Sequence, residues 1–301
     1  KKRLKLEPNN NNLIIWEAEQ PKAVLQLVHG MAEYILRYEP FAVYLARRGY
    51  VVCGNDHAGH GLSVENKSDY GYFGKRENSW QYLIEDMNYL EGMMRLEYPD
   101  IPYFMVGHGM GSFLARDYTE AYGNGFSGAV FMGTGYTTPR LDLGIAVSKY
   151  MADKYSKQRG ELADKIVFGA FNKKIDSANN KYDWITTDKD MLNKYIDDEK
   201  CGFLFTNEGY RDLFLLIKSV NSNKWAKSLP HNLPMLLISG SDDPVGNYGK
   251  GVRKIYEMML KAGCMNVDIK LLHGARHEIL NDVKREKVYS ILFNWFEKNI
   301  Y

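Results

Sequence analysis

Five loops, each following an apolar run, hold residues suited to acyl-transfer chemistry: His29-Gly30, Asp56-His57, Gly107 to Gly111, Asp242-Asp243 and His277. Such chemistry needs an activated oxygen, an imidazole that moves its proton, a carboxylate that orients the imidazole, and N–H donors for the oxyanion. The run Tyr103 to Val106, followed by Gly107-His108-Gly109-Met110-Gly111-Ser112, outlines a strand, a turn with glycine at every second position, and a helix start. In a G-x-S-x-G turn this bend lifts a serine above the sheet and aims the next N–H into an oxyanion hole. Here the middle residue is Gly109, so the turn lacks its nucleophilic oxygen.

His277 follows a strand and is the candidate base, and Asp243, just past the apolar run that ends at Gly240, is the candidate acid. Taken singly, each has an ordinary reading: a lone histidine is more often structural, and Asp242 or Asp243 before Pro244 suits a turn. Their occurrence with the glycine turn at successive strand ends carries the assignment. His57 and His60 form H-x-x-H beside Asp56, but no third ligand set lies nearby, so the reading is loop bracing and no metal. Ser63 and Ser112 are hydroxyls near the site, and Ser112 lies a helical turn beyond the tip, where its oxygen does not project as a nucleophile's would.

The elements that must position these residues alternate. Leu4-Lys5-Leu6 and Leu13 to Trp16 suggest an opening hairpin, and strands are predicted at Ala23–Val28, Tyr50–Gly54, Tyr103–Val106, Gly128–Met132, Leu233–Ser239 and Val267–Leu272. Helices are predicted at Tyr38–Arg48, Trp80–Tyr98, Met110–Tyr122, Lys250–Ala262 and Val283–Lys298. Strand–helix alternation of this kind implies a mostly parallel sheet with helices on both faces and ligands beyond the strand carboxyl ends. Ser68 to Gly74, rich in Gly, Tyr and Ser, reads as mobile. Between about Tyr136 and Trp225 strand signals vanish and helical patterns take over, as at Leu143–Tyr155, Asp190–Tyr195 and Tyr210–Val220. We read residues 136–225 as a helical cap inserted between core segments 1–135 and 226–301. Most of its aromatics, among them Phe168, Phe171, Tyr182, Trp184, Phe203, Phe205 and Tyr210, are expected to pack the cap's own core.

Composition bounds the partners. Lysine plus arginine number 39 against 37 acidic residues, which gives no reason to expect nucleic acid and favours a small or neutral partner. Cys53, Cys201 and Cys264 show no C-x-x-C spacing, which argues against a disulfide framework or structural zinc and fits a reducing cytoplasm. No apolar run approaches the ~18 residues of a membrane span, and Lys1 to Asn12 lacks a signal-peptide core.

His29-Gly30-Met31-Ala32-Glu33, Asp56-His57-Ala58-Gly59-His60-Gly61, Gly107 to Gly111, Gly240 to Val245 and Gly274 to Glu278 together resemble the monoacylglycerol lipase/lysophospholipase branch of the serine α/β-hydrolases. The resemblance implies an α/β-hydrolase fold with Asp243 and His277 as acid and base, the Met31 and Met110 N–H groups as oxyanion hole, and no cofactor. It implies a carboxylic ester hydrolase acting on a small lipid-like acyl ester, with the cap as the part that would touch a membrane surface transiently. Position 109 departs from the family. We read Gly109 as an engineered serine-to-glycine change that silences the enzyme or traps a ligand, since a natural pseudoenzyme has no chemical need to keep Asp243, His277 and the oxyanion loop together. A natural ligand-binding pseudoenzyme is the competing reading. An amide- or peptide-cleaving relative is a third, in which Glu33 or a cap carboxylate would anchor a substrate amine.

Overall fold

The computed structural model, described here for residues 1–75, 78–176 and 178–300, is built on one eight-stranded sheet. Its strands are β1 (Lys2–Leu6), β2 (Asn11–Trp16), β3 (Ala23–Val28), β4 (Tyr50–Asn55), β5 (Tyr103–His108), β6 (Gly128–Met132), β7 (Met235–Gly240) and β8 (Val267–Leu272). They lie in the order β1-β2-β4-β3-β5-β6-β7-β8. The pairs from β4 to β8 are parallel, and β1 and β2 form the expected antiparallel hairpin, with Lys2 opposite Ile15 and Leu6 opposite Asn11. Strands β3 to β7 are buried along their whole length, as a parallel sheet covered on both faces requires.

The helices are α1 (Glu39–Ala46), α2 (Trp80–Glu97), α3 (Met110–Tyr122), α4 (Pro139–Tyr155), α5 (Glu161–Val167), α6 (Lys189–Asp197), α7 (Asn207–Ser219), α8 (Asn223–Ser228), α9 (Lys250–Lys261) and α10 (Arg285–Lys298). On one face Phe41 and Leu45 of α1 and Leu292 and Phe296 of α10 pack with Leu25, Phe104 and Val130 of the sheet. On the other, Leu83 and Met87 of α2, Leu114 of α3 and Ile255 of α9 pack with Val24, Met105 and Phe131. The sequence reading of a doubly covered, mostly parallel sheet is therefore met.

Helices α4 to α8 all fall between β6 and β7, where the only pairing among the described residues is the bridge Arg159–Thr206. Two of them, α5 and α8, escaped the sequence reading, being only 7 and 6 residues long and so too short to show a period. Helix α4 starts at Pro139, ahead of the expected Leu143, because proline suits the first helical position. Helix α7 starts at Asn207 and not Tyr210, because Thr206 Oγ1 caps it by accepting the Gly209 N–H at 3.0 Å.

The stretch Ser68 to Gly74, expected to be mobile, is tied down. Arg159 donates to the carbonyls of Lys67, Ser68, Tyr70 and Leu204, and the Thr206 N–H donates to Gly71 O at 3.2 Å. A second arginine joins the chain just past β6 to the chain just past α7. The fully buried Arg116 of α3 donates to Thr134 Oγ1 at 3.2 Å, Gly135 O at 3.3 Å, Asn221 Oδ1 at 3.0 Å and Val220 O. Its guanidinium lies 4.3 Å from the Trp225 ring centroid, and burial without a carboxylate partner pulls its pKa down to about 9.

Candidate active site

At the end of β5 the chain turns on Gly109, with φ 54° and ψ −120°, into α3. A non-glycine residue is strained there. The flanking glycines answer a different need: a β-carbon at Gly107 would sit 2.1 Å from Gly111 O, and one at Gly111 would sit 2.1 Å from Val28 O. Only bare backbone lets strand and helix approach so closely. Ser112 turns its hydroxyl inward to Gly109 O at 2.6 Å, as its place one turn beyond the tip implied.

His277 and Asp243 meet. His277 Nδ1 lies 2.9 Å from Asp243 Oδ2, and the carboxylate is completely buried. Asp243 is itself fixed: Oδ1 accepts the Val245 N–H at 2.9 Å, and Oδ2 accepts Ser239 Oγ at 3.2 Å. Because a carboxylate only accepts, the His277 proton sits on Nδ1 and the lone pair on Nε2. That Nε2 faces the turn, 3.0 Å from where a β-carbon on Gly109 would stand. Asp242, by contrast, is exposed and accepts the Ser241 hydroxyl at 2.7 Å.

Met31 and Met110 line the same cavity, and among the described residues neither backbone N–H has an acceptor. The Met110 N–H opens α3, where first-turn amides are left free by the helix itself. Two residues whose N–H groups have no acceptor among the described residues therefore belong to the lining of the cavity that Gly109 shares.

Around this centre lies a charged layer that the sequence reading only touched. Glu33 Oε1 accepts from Gly30 N–H at 2.6 Å and Tyr38 Oη at 2.6 Å, and lies 3.2 Å from His108 Nδ1; Glu33 Oε2 takes Arg37 Nε at 3.1 Å. Burial disfavours its charge, but the His108 hydrogen bond and the His108 and Arg37 charges prevail and hold its pKa well below the usual carboxylate range. Burial likewise opposes the charge on His108, yet Glu33 outweighs it and raises the imidazole above its ordinary value. With both oxygens engaged, Glu33 is not a free anchor for an amine. Arg37 and Glu278 were missed. The four-residue spacing of Glu33 and Arg37 was a visible signal, whereas Glu278 comes from the far end of the chain.

His29, His57 and His60 form a separate buried group, with ring centroids 4.1 Å (29–57), 5.1 Å (29–60) and 6.1 Å (57–60) apart. Burial keeps all three neutral, pushing His60 down to about 3. No metal-binding cluster occurs among the described residues. One bond matches the bracing role, from the His57 N–H to His29 Nε2 at 3.0 Å, but both His57 ring nitrogens are unpartnered, so this histidine braces by packing. Ser63 does not belong to the site: its Oγ bonds Asp56 O at 2.7 Å and the Asn12 N–H at 2.9 Å.

The cavity over the turn has a volume of about 270 Å³ and is walled on the helical side by Leu141, Val167, Phe168, Leu213 and Ile217. Of the aromatics expected to pack internally, Phe168, Phe171, Tyr182, Trp184 and Phe203 line this cavity, whereas Phe205 and Tyr210 are buried away from it. The Trp184 ring lies 5.2 Å from that of His277.

Sheet order, the strand–turn–helix at Gly109, and an Asp–His pair beyond β7 and β8 define an α/β-hydrolase. Residues 19–284 match the Hydrolase_4 family model, described as "Serine aminopeptidase, S33", and the chain belongs to that family. It is 25% identical over 271 residues to a monoglyceride lipase homolog of Monkeypox virus, covering 89% of this chain and 86% of that protein. It is also 25% identical over 293 residues to a monoacylglycerol lipase of Mycolicibacterium smegmatis, covering 95% and 92% of the two chains. Among solved structures, a thermostable carboxyl esterase from Bacillus coagulans in complex with glycerol superimposes with a TM-score of 0.92 at 28% identity, over 100% of this chain and 99% of that one.

Proposed function

We propose that the chain is the framework of a serine-type carboxylic ester hydrolase for monoacylglycerol- or lysophospholipid-like substrates, silent because position 109, the nucleophile position, carries glycine. The observation that carries this reading is the 3.0 Å between His277 Nε2 and a β-carbon built on Gly109. A serine there would have its Oγ within hydrogen-bond reach of the imidazole.

In that serine form His277 takes the hydroxyl proton as the oxygen attacks the ester carbonyl. Asp243 holds the imidazole tautomer, and the Met31 and Met110 N–H groups receive the oxyanion. The alcohol leaves with the proton from His277, and water, activated by the same imidazole, releases the acid. As written, the chain keeps only what binding and the oxyanion donors supply, a residual ~10³–10⁴-fold over water.

Residues 136–225 act as a cap whose apolar inner wall takes the acyl chain. A cavity of about 270 Å³ lies just below the ~300–1,000 Å³ usual for ligand pockets, which favours one short or medium acyl chain over a triacylglycerol. The cap's outer surface exposes Leu143, Tyr150 and Leu162 beside Lys149 and Lys154, a composition suited to brief contact with a membrane surface. No described helix is long and apolar enough to cross a bilayer. The free, buried cysteines suit a reducing compartment such as the cytoplasm.

The peptidase reading draws on the family's description, but the engagement of both Glu33 oxygens weighs against it. The experiment is Gly109→Ser, assayed on p-nitrophenyl esters of graded length, monoacylglycerols, lysophospholipids and aminoacyl anilides. Ester hydrolysis in the serine form alone supports the proposal. Anilide cleavage alone would favour the peptidase, and no turnover on any substrate would favour a natural ligand-binding protein.

A further inference from the structure

Arg37 stands between the loop that carries Met31 and the loop that carries His277. Its Nε donates to Glu33 Oε2 at 3.1 Å and its Nη2 to Glu278 Oε2, with the three side chains between 2% and 7% exposed. Glu278 is the residue next to His277, and its Oε2 also accepts Asn281 Nδ2 at 3.1 Å. On the other side, Glu33 Oε1 holds the Gly30 N–H at 2.6 Å, which orients the peptide immediately before that of Met31. The ring is closed by His108, which lies next to Gly109: its Nδ1 faces Glu33, and its Nε2 lies 3.2 Å from His277 O. Oxyanion loop, turn and base loop are thus joined by one buried set of hydrogen bonds, none of which involves Met31 N–H, Met110 N–H or His277 Nε2.

Nothing in stability alone demands such an arrangement, since a buried ion pair is often no better than well-packed apolar side chains. Geometry is what it supplies. Oxyanion donors act only if they stand at the right place before charge develops.

We propose that the Glu33–Arg37–Glu278 bridge is a positioning device that holds the Met31 N–H in register with His277. The proposal rests on the ester-hydrolase reading for its catalytic consequence but not for its structural one. Arg37 lies outside the cavity lining and bears on the transition state through Gly30 and Met31. Glu33 and Glu278 do line the cavity, but their charges are spent on Arg37.

The test uses Arg37→Met and, as the milder change, Glu278→Gln, each in the glycine chain and in the Gly109→Ser chain. In the glycine chain, amide hydrogen exchange at Gly30, whose N–H Glu33 holds, should quicken at least tenfold in Arg37→Met, while amides of β5 and β6 keep their rates. In the serine chain, kcat should fall by about 10–100-fold, a share of the ~10²–10³ that a whole oxyanion donor is worth, with KM within about twofold. Affinity for a boronic acid that mimics the tetrahedral intermediate should fall with kcat. Glu278→Gln should show the same pattern more weakly, and it decides the matter if Arg37→Met does not fold. Unchanged Gly30 exchange, or a lower kcat with unchanged boronic-acid affinity, overturns the proposal. An inactive Gly109→Ser chain with quickened Gly30 exchange sinks the hydrolase reading and leaves the bridge standing.

Discussion

Replacing Gly109 by serine should cost stability while creating activity. The cost has two parts in the folded chain. At φ 54° and ψ −120° a side chain is strained by about 1–3 kcal/mol, and its β-carbon would press to 3.0 Å from His277 Nε2 and 3.7 Å from Gly30 Cα. The imidazole would have to yield by a few tenths of an ångström. Against this, serine restricts the unfolded chain and returns about 0.4–1 kcal/mol. The serine form should therefore be less stable by about 0–2.5 kcal/mol, a fall of up to ~5 °C in Tm at the ~2 °C per kcal/mol typical of larger domains. Activity should move far more. In a subtilisin-type triad the serine is worth about 10⁶ in kcat, or about 8 kcal/mol of barrier, so p-nitrophenyl ester hydrolysis should rise by several orders of magnitude. Calorimetry and a chain-length series on the two proteins provide the measurement. A new serine–His277 hydrogen bond can return about 0.5–1.5 kcal/mol, so a serine form more stable than the glycine form by more than that would refute the strained-turn argument.

Other outcomes follow from the same geometry. In the serine form, Asp243→Asn should lower kcat by roughly 10⁴ with the fold intact, since the amide leaves the imidazole in the wrong tautomer; an unchanged kcat would remove Asp243 from the site. Ile217→Trp, which fills the cavity wall, should shift the preferred ester to shorter chains and raise KM for long ones, and an unaltered chain-length profile would place the acyl chain elsewhere. His60 bears on acid stability: its pKa falls from 6.5 unfolded to about 3 folded, so the unfolded chain binds the proton more tightly. Stability due to this residue is complete above pH 6.5 and is lost as pH falls towards 3, at about 1.4 kcal/mol per pH unit. His60→Gln should flatten the urea midpoint between pH 6.5 and 4.5, and an equal slope in the two proteins would count against the argument.

The strands could be read from sequence because their burial on both faces leaves uninterrupted apolar runs such as Ala23 to Val28 and Met235 to Ile238. The turn at Gly109 was legible for a related reason: the close approach of β5 to α3 demands glycine at 107, and that of α3 to the end of β3 demands glycine at 111. Asp243 and His277 could be nominated because their places at strand ends constrain them jointly. Less was legible in the inserted segment. Helices α5 and α8 are too short to show a period, and whether Phe168 packs inward or lines a cavity depends on a shape that no local pattern encodes. The partnership of Arg37 with Glu278 spans 241 positions, and only the folded sheet brings those loops together.

Arg116 carries a consequence for how this architecture can change. The chain leaves the sheet at Thr134–Gly135 and, after α4 to α7, comes back beside that point at Val220–Asn221, ahead of α8 and β7, and one guanidinium grips both places. A segment whose ends are pinned together is a closed loop, and lengthening such a loop costs little, about 0.6 kcal/mol for each doubling of its length. Chain can thus be added beyond that clasp at little entropic cost, but not everywhere: the Glu278 N–H donates to Ile185 O at 2.7 Å and Arg276 Nη1 to Asp183 O at 2.6 Å, so residues 183–186 are tied to the loop that carries His277.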